Sequence, residues 1–99
     1  MKIYSKEDVE LSFSKAIDAS SDPDVDAKIL GVLFGSLAVS LETRKEQLIR
    51  GLAKSRSSKS EIDALNKAAE CLVSKMNTGT VSSFSDEILA AHKAYVSFN

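Results

Sequence analysis

The sequence predicts an all-α protein, a compact bundle of four helices with a long, mostly buried second helix. Two observations lead to this expectation. One proline and four glycines in 99 residues leave few points at which a helix must stop. Between those points, apolar residues recur three and four positions apart, which is the spacing of one helix face. The length is that of a single domain, with helices predicted at about 6–19, 23–54, 60–77 and 83–97.

The first helix is predicted to begin after Ser5. The Ser5 hydroxyl can accept a hydrogen bond from the Asp8 amide, and the Asp8 carboxylate can return a bond to the cap, as in a capping box. At helical spacing, one face then carries four apolar residues: Val9, Phe13, Ala16 and Ile17.

The second helix is predicted to begin at Pro23, because proline suits the first helical position and Asp22 can cap the exposed amides. Residues 29–41 carry no charge and are apolar around most of the helix circumference, which favours burial at the centre of the bundle. If the helix continues to Lys54 it is nearly 50 Å long, at about 1.5 Å per residue. The sequence leaves open whether it breaks near Glu42 or Gly51, or whether its second half projects.

Small residues recur every four positions along this helix, at Ala27, Gly31 and Gly35. Such a strip lets another helix approach closely, and each interior glycine costs about 1 kcal/mol relative to alanine. We therefore interpret Ala27, Gly31 and Gly35 as a helix-packing strip inside the bundle. On this interpretation, Gly35→Leu destabilises the fold or breaks its assembly.

The last two helices are predicted from caps and apolar stripes. Ser58 with Glu61, or Ser60 with Asp63, can form the N-terminal capping box of the third helix, and Gly79 suits its C-terminal end. The stripe of the third helix consists of Ile62, Leu65, Ala69, Leu72 and Met76. That of the fourth consists of Phe84, Ile88, Ala91 and Tyr95.

Positive charge is concentrated in residues 43–59, where six Lys or Arg residues face one Glu. The basic cluster consists of Arg44, Lys45, Arg50, Lys54, Arg56 and Lys59. The preferred interpretation is a solvated face near a helix C-terminus, where cations are favourable. A contact to nucleic acid or to an acidic protein is the alternative. The acidic isoelectric point of about 5.8 and the absence of aromatic residues among the cations argue against nucleic acid.

The sequence contains no motif that indicates catalysis. Cys71 is the single cysteine and His92 the single histidine, and neither has a partner at catalytic or zinc-ligand spacing. The acidic residues Asp22, Asp24 and Asp26 are explained by the start of a helix. No glycine-rich phosphate loop is present. We therefore expect no enzymatic activity, no cofactor and no metal site.

These observations predict a small protein-interaction module, such as an adaptor, a chaperone or an inhibitor that binds a larger protein or complex. Self-association into a homodimer stays open. The alternative is a helical nucleic-acid-binding regulator that uses the basic cluster. An uncharged run of 13 residues is too short for a membrane span of about 20. With one cysteine and no signal-peptide pattern, we expect a cytoplasmic protein that does not associate with membranes.

Overall fold

Four helices form the part of the chain that the structure, a computed structural model, describes. It describes residues 2–73 and 81–98, without the side chains of residues 81–83. The helices are α1 (Lys6–Ser21), α2 (Ala27–Ile49), α3 (Ser58–Val73) and α4 (Val81–Val96). The chain is 77% helical and its described residues include no strand, which confirms the predicted all-α bundle. Among these helices, none has the length and hydropathy that crossing a bilayer requires.

The helices form a ring in which α2 lies between α1 and α3. The fourth helix closes the ring through contacts with α1 and α3, and it also touches α2 across the bundle. Aromatic rings pack in the core: the ring centroids of Phe13 and Tyr95 lie 5.7 Å apart between the neighbouring helices α1 and α4, and those of Phe34 and Phe84 lie 5.1 Å apart between α2 and α4, across the bundle. Fully buried side chains from all four helices fill the centre, including Phe13, Leu37, Leu65, Ile88 and Tyr95.

The start of α1 confirms the predicted capping box. The Asp8 amide donates to the Ser5 hydroxyl, and the Ser5 amide donates to the Asp8 carboxylate at 2.8 Å. The bond from the Ser5 amide is the main reason that the pKa of Asp8 lies below its usual value. The predicted apolar face is also confirmed, since Val9, Phe13 and Ala16 are buried and Ile17 packs against them.

The second helix begins four residues later than predicted. The Asp22 carboxylate accepts from the Asp24 amide at 2.9 Å, and this short turn leaves Pro23 outside the helix. Asp26 is the N-cap of α2, because its carboxylate accepts from the Ile29 amide at 2.8 Å. The chain contains two aspartates suited to capping, and the second one defines the helix start.

The same helix ends at Ile49, so the predicted end at residue 54 is wrong and the alternative of a break near Gly51 is the one observed. The Leu52 amide donates to the Gln47 carbonyl and the Gly51 amide to the Leu48 carbonyl, as in a Schellman motif. Gly51 has a φ of +73°, a backbone conformation that favours glycine. At about 1.5 Å per residue the helix is about 34 Å long, which fits the 39 Å long axis of the molecule.

Only one face of α2 is covered. Leu30, Phe34, Leu37 and Leu41 are buried, but Val32 is 69% exposed and Val39 is 61% exposed. The expectation that the other helices cover α2 on all sides is therefore wrong at these positions. A helix in a ring of four meets its neighbours on the inside and keeps an outer surface.

The strip Ala27, Gly31 and Gly35 lies on uncovered turns of α2. A Cβ atom added to Gly31 or Gly35 would meet no atom of the described residues within 4 Å, apart from the helix itself. The prediction that this strip packs against another helix of the bundle is therefore not met.

We expect Gly35→Ala to raise the free energy of unfolding by about 0.5 to 1 kcal/mol, because alanine favours the helix and its methyl group meets empty space. The matched control is Gly51→Ala, which is expected to lower that free energy by about 1 kcal/mol because φ is positive there. Urea unfolding of the dilute protein measures both changes. Destabilisation by Gly35→Ala would show that another helix covers the strip.

The buried face of α3 differs from the predicted stripe. Leu65 and Leu72 are buried as predicted, but Ile62 and Ala69 are only half-buried. Met76, Gly79 and the predicted end of the helix at residue 77 lie outside the described residues. Three residues complete the buried face in their place: Glu61, Ala64 and Ala68.

The fourth helix has the face that the sequence predicts, although it begins at Val81, two residues earlier. Ile88, Ala91 and Tyr95 are fully buried, and Phe84 packs against the core. The end at Val96 lies one residue from the predicted end. The α4 stripe was therefore correctly identified from its three- and four-residue spacing.

Candidate functional site

The basic cluster does not form one cationic surface. Arg44 is only 4% exposed and lies inside the bundle. Lys45 forms an ion pair with Glu42 at 2.9 Å, and Arg50 forms one with Glu46 at 3.3 Å. Three further cations of the cluster are exposed: Lys54 and Arg56 on the connection between α2 and α3, and Lys59 in the first turn of α3. The interpretation of Arg44 as part of a solvated face is wrong, because the bundle uses this side chain internally.

Arg44 is the centre of a buried polar network between α2, α3 and α4. Its Nε atom donates to Glu61 Oε1 at 2.9 Å, and its Nη2 atom donates to Glu61 Oε2 at 3.2 Å. The hydroxyl of Tyr95 donates to Glu61 Oε1 at 2.9 Å. Glu61 is 0% exposed, so its carboxylate depends on these donors instead of on water.

The network also binds backbone from two irregular segments. Arg44 Nη1 donates to the Tyr4 carbonyl at 2.7 Å, and Nη2 donates to the Lys54 carbonyl at 3.3 Å. One turn along α2, Gln47 Oε1 accepts from the Tyr4 amide and Gln47 Nε2 donates to the Lys2 carbonyl. Two side chains of α2 therefore hold the segment before α1 in place.

The pKa values of the network show that Glu61 is ionised at neutral pH. Burial alone would raise the pKa of Glu61, but the hydrogen bonds from Arg44, Ser55 and Tyr95 and the charge of Arg44 outweigh it and hold that pKa below its usual value. Burial, together with the bond to Glu61 and its charge, raises the pKa of Tyr95 far above its usual value. Tyr95 thus stays a donor and Glu61 an acceptor, an arrangement that stabilises the bundle.

Beside the network, an open cleft of about 390 Å³ lies between the start of α1 and the connection from α2 to α3. Its walls carry charges of both signs, with Lys54 and Arg56 opposed by Glu7. Neither Cys71 nor His92 lines this cleft. The single cysteine and the single histidine are therefore not part of this cleft.

Cys71 and His92 both lie against the core. The His92 ring meets the Phe13 ring edge-on, with centroids 5.3 Å apart, and Cys71 is half-buried beside the buried residues of α3. Among the described residues, no three His, Cys, Asp or Glu side chains are close enough together to hold a metal ion. The surroundings of both side chains are those of packing residues.

The remaining feature is the uncovered surface of α2, which we call the outward face. It contains exposed Val32 and Val39 and has no charge between Lys28 and Glu42. It consists of Gly31, Val32, Gly35, Ala38 and Val39. Large exposed apolar patches on a protein mark contacts with other molecules.

Sequence reasoning missed the roles of Glu61, Gln47 and Tyr95 in the buried network. One signal was present, because Glu61 lies one helical turn before Leu65 and so on the buried face of α3. Comparison with protein-family models, with curated proteins and with solved structures finds no match to this chain.

Proposed function

We propose that this protein is a non-enzymatic protein-interaction module that binds another protein through the outward face of α2. The observation that carries this proposal is the exposure of Val32 and Val39 on a surface without charge. Removing apolar surface from water is the main favourable contribution to protein association. An adaptor, a chaperone or an inhibitor that covers part of a larger macromolecule uses a surface of this kind.

The free energy gained by burying Val32 and Val39 supports a contact between the outward face and another protein. Burying a valine side chain fully is favourable by about 1.5 to 3 kcal/mol, and the two valines lie seven residues apart, on the same side of the helix. Gly35, which lies between them in the sequence, adds no side chain that would hold a partner away. The outward face can therefore be approached closely along about three turns.

The alternative function, nucleic-acid binding through the basic cluster, has weaker support. Arg44 forms a buried ion pair with Glu61. Lys45 and Arg50 form ion pairs with two glutamates of α2, Glu42 and Glu46. Binding to phosphates depends on several cations that release counterions together. Three cations of the basic cluster then remain to bind phosphates: Lys54, Arg56 and Lys59.

The proposed function is tested with a tagged protein purified from its native cells. We expect a partner protein to copurify with the wild type and to be lost with Val32→Glu/Val39→Glu. Both side chains are exposed, so circular dichroism should show unchanged helix content and an unchanged melting temperature.

The matched control is Leu89→Glu, an equally polar change at an exposed apolar residue of α4. It should retain the partner. Equal capture by the double variant and the wild type would place the contact elsewhere and contradict the proposal, and so would loss of the partner with Leu89→Glu alone.

A further inference from the structure

The outward face of α2 is complementary to itself. We propose that in the isolated protein a second copy of this chain covers it, with the two α2 helices antiparallel and a two-fold axis passing beside Gly35. This inference rests on the proposed function, because it names the occupant of the same face. The binding partner is thus a second α2 helix that runs in the opposite direction, so that its basic end lies beside the acidic end of the first.

The first argument is the placement of charge. Lys28, Gly35 and Glu42 are spaced by seven residues, which is nearly two helical turns, so they lie along one line of α2. In an antiparallel pair centred on Gly35, a residue seven positions before the centre faces one seven positions after it. Lys28 of each copy therefore faces Glu42 of the other, and the dimer contains this attraction twice. A parallel pair would place lysine against lysine and glutamate against glutamate, which is repulsive.

The second argument is shape. A two-fold axis beside Gly35 brings each side of the outward face against the same side of the second copy, so Val32 meets Val39 on one side and Gly31 meets Ala38 on the other. The valines bury apolar surface against each other, and the small residues let the two helices approach closely. The space above Gly31 and Gly35 is empty in the described chain, so none of its atoms obstructs this approach.

The third argument concerns the interactions that Lys28 and Glu42 make within one chain. Lys28 lies exposed in the first turn of α2, where the helix dipole disfavours a cation, and the nearby Asp26 carboxylate is engaged as the N-cap by the Ile29 amide. An approaching carboxylate offsets that cost. Glu42 already binds Lys45 through Oε2 at 2.9 Å, and a carboxylate with two oxygens can accept from a second cation.

Sedimentation equilibrium at low ionic strength tests the dimer. We expect the wild type to dimerise, and each single reversal, Lys28→Glu or Glu42→Lys, to raise the dissociation constant by about tenfold or more. An equimolar mixture of the two variants should dimerise as heterodimers, because all facing charges are then opposite. Lys15→Glu, a reversal at an exposed lysine of α1, is the matched control and should change nothing.

The orientation is tested by the same variants. In a parallel dimer a single reversal would leave like charges facing each other, so its dissociation constant would not rise. A wild-type dimer that is insensitive to both reversals overturns the antiparallel register. A wild-type chain that stays monomeric at about 1 mM overturns self-association altogether. If that monomer still loses its native partner with Val32→Glu/Val39→Glu, the proposed function stands and only this inference fails.

Discussion

Replacing Glu61 by alanine is expected to lower the free energy of unfolding by about 3 to 5 kcal/mol. The substitution leaves the Arg44 guanidinium, which is bonded to both carboxylate oxygens, without a counter-charge inside the bundle. It also removes the acceptor of the Tyr95 hydroxyl. A domain of this kind is stable by about 5 to 15 kcal/mol in total, so the loss should be plain in urea unfolding.

Two comparisons separate the buried charge from other effects. Glu70→Ala changes an exposed glutamate of the same helix and should alter stability by less than about 0.5 kcal/mol. The double change Arg44→Met/Glu61→Leu removes both charges and should recover most of the stability lost in Glu61→Ala. If Glu61→Ala is no more harmful than Glu70→Ala, the network does not contribute to the fold.

Replacing Leu72 by alanine is expected to cost about 2 to 5 kcal/mol. Leu72 is fully buried in the last described turn of α3, where its side chain belongs to the core cluster. Truncation removes apolar burial and leaves a cavity that a well-packed core fills only in part. Thermal or urea unfolding of the variant measures the change.

The neighbouring residue provides the control for Leu72. Val73 is exposed, so Val73→Ala truncates the next side chain without opening the core and should change stability by less than about 0.5 kcal/mol. Similar losses of stability for the two substitutions would mean that α3 does not bury Leu72 in preference to Val73, which contradicts the structure.

Local signals in the sequence were enough to predict most helix ends. Ser5 and Asp8 are three residues apart and bond to each other's cap groups, so their capping box is a local feature of the sequence. The stop at Gly51 is also local, since hydrogen bonds within residues 47–52 close it, although the ion pair of Glu46 with Arg50 favours continuation of the helix just before it. The glycine with its positive φ decides the outcome.

The buried network could not be predicted from residue types. Arg44 and Glu61 are charged, and charged residues are almost always exposed unless they find a partner. Their partnership joins positions 17 apart in sequence and depends on how α2 and α3 meet. Hydrophobic spacing on α3 hinted at the position of Glu61, but the capping-box interpretation assigned the same residue to a helix start.

The outward face departs from the sequence prediction, which is that the uncharged part of α2 is buried at the centre of the bundle. Apolar residues all around α2 indicate burial on every side, and three neighbouring helices can supply it on only one. The excess apolar surface at Val32 and Val39 is what remains after the bundle is complete. The same excess is the basis of the interaction proposal.

The network around Arg44 has a consequence for the kinetics of folding. Its bonds to Tyr4 and from Tyr95 to Glu61 span 40 and 34 residues, so they close large loops and cannot form early from local structure. Contacts that form after the rate-limiting step act mainly on the rate of unfolding. We therefore expect the network to lengthen the lifetime of the native state, and its loss to speed unfolding more than it slows folding.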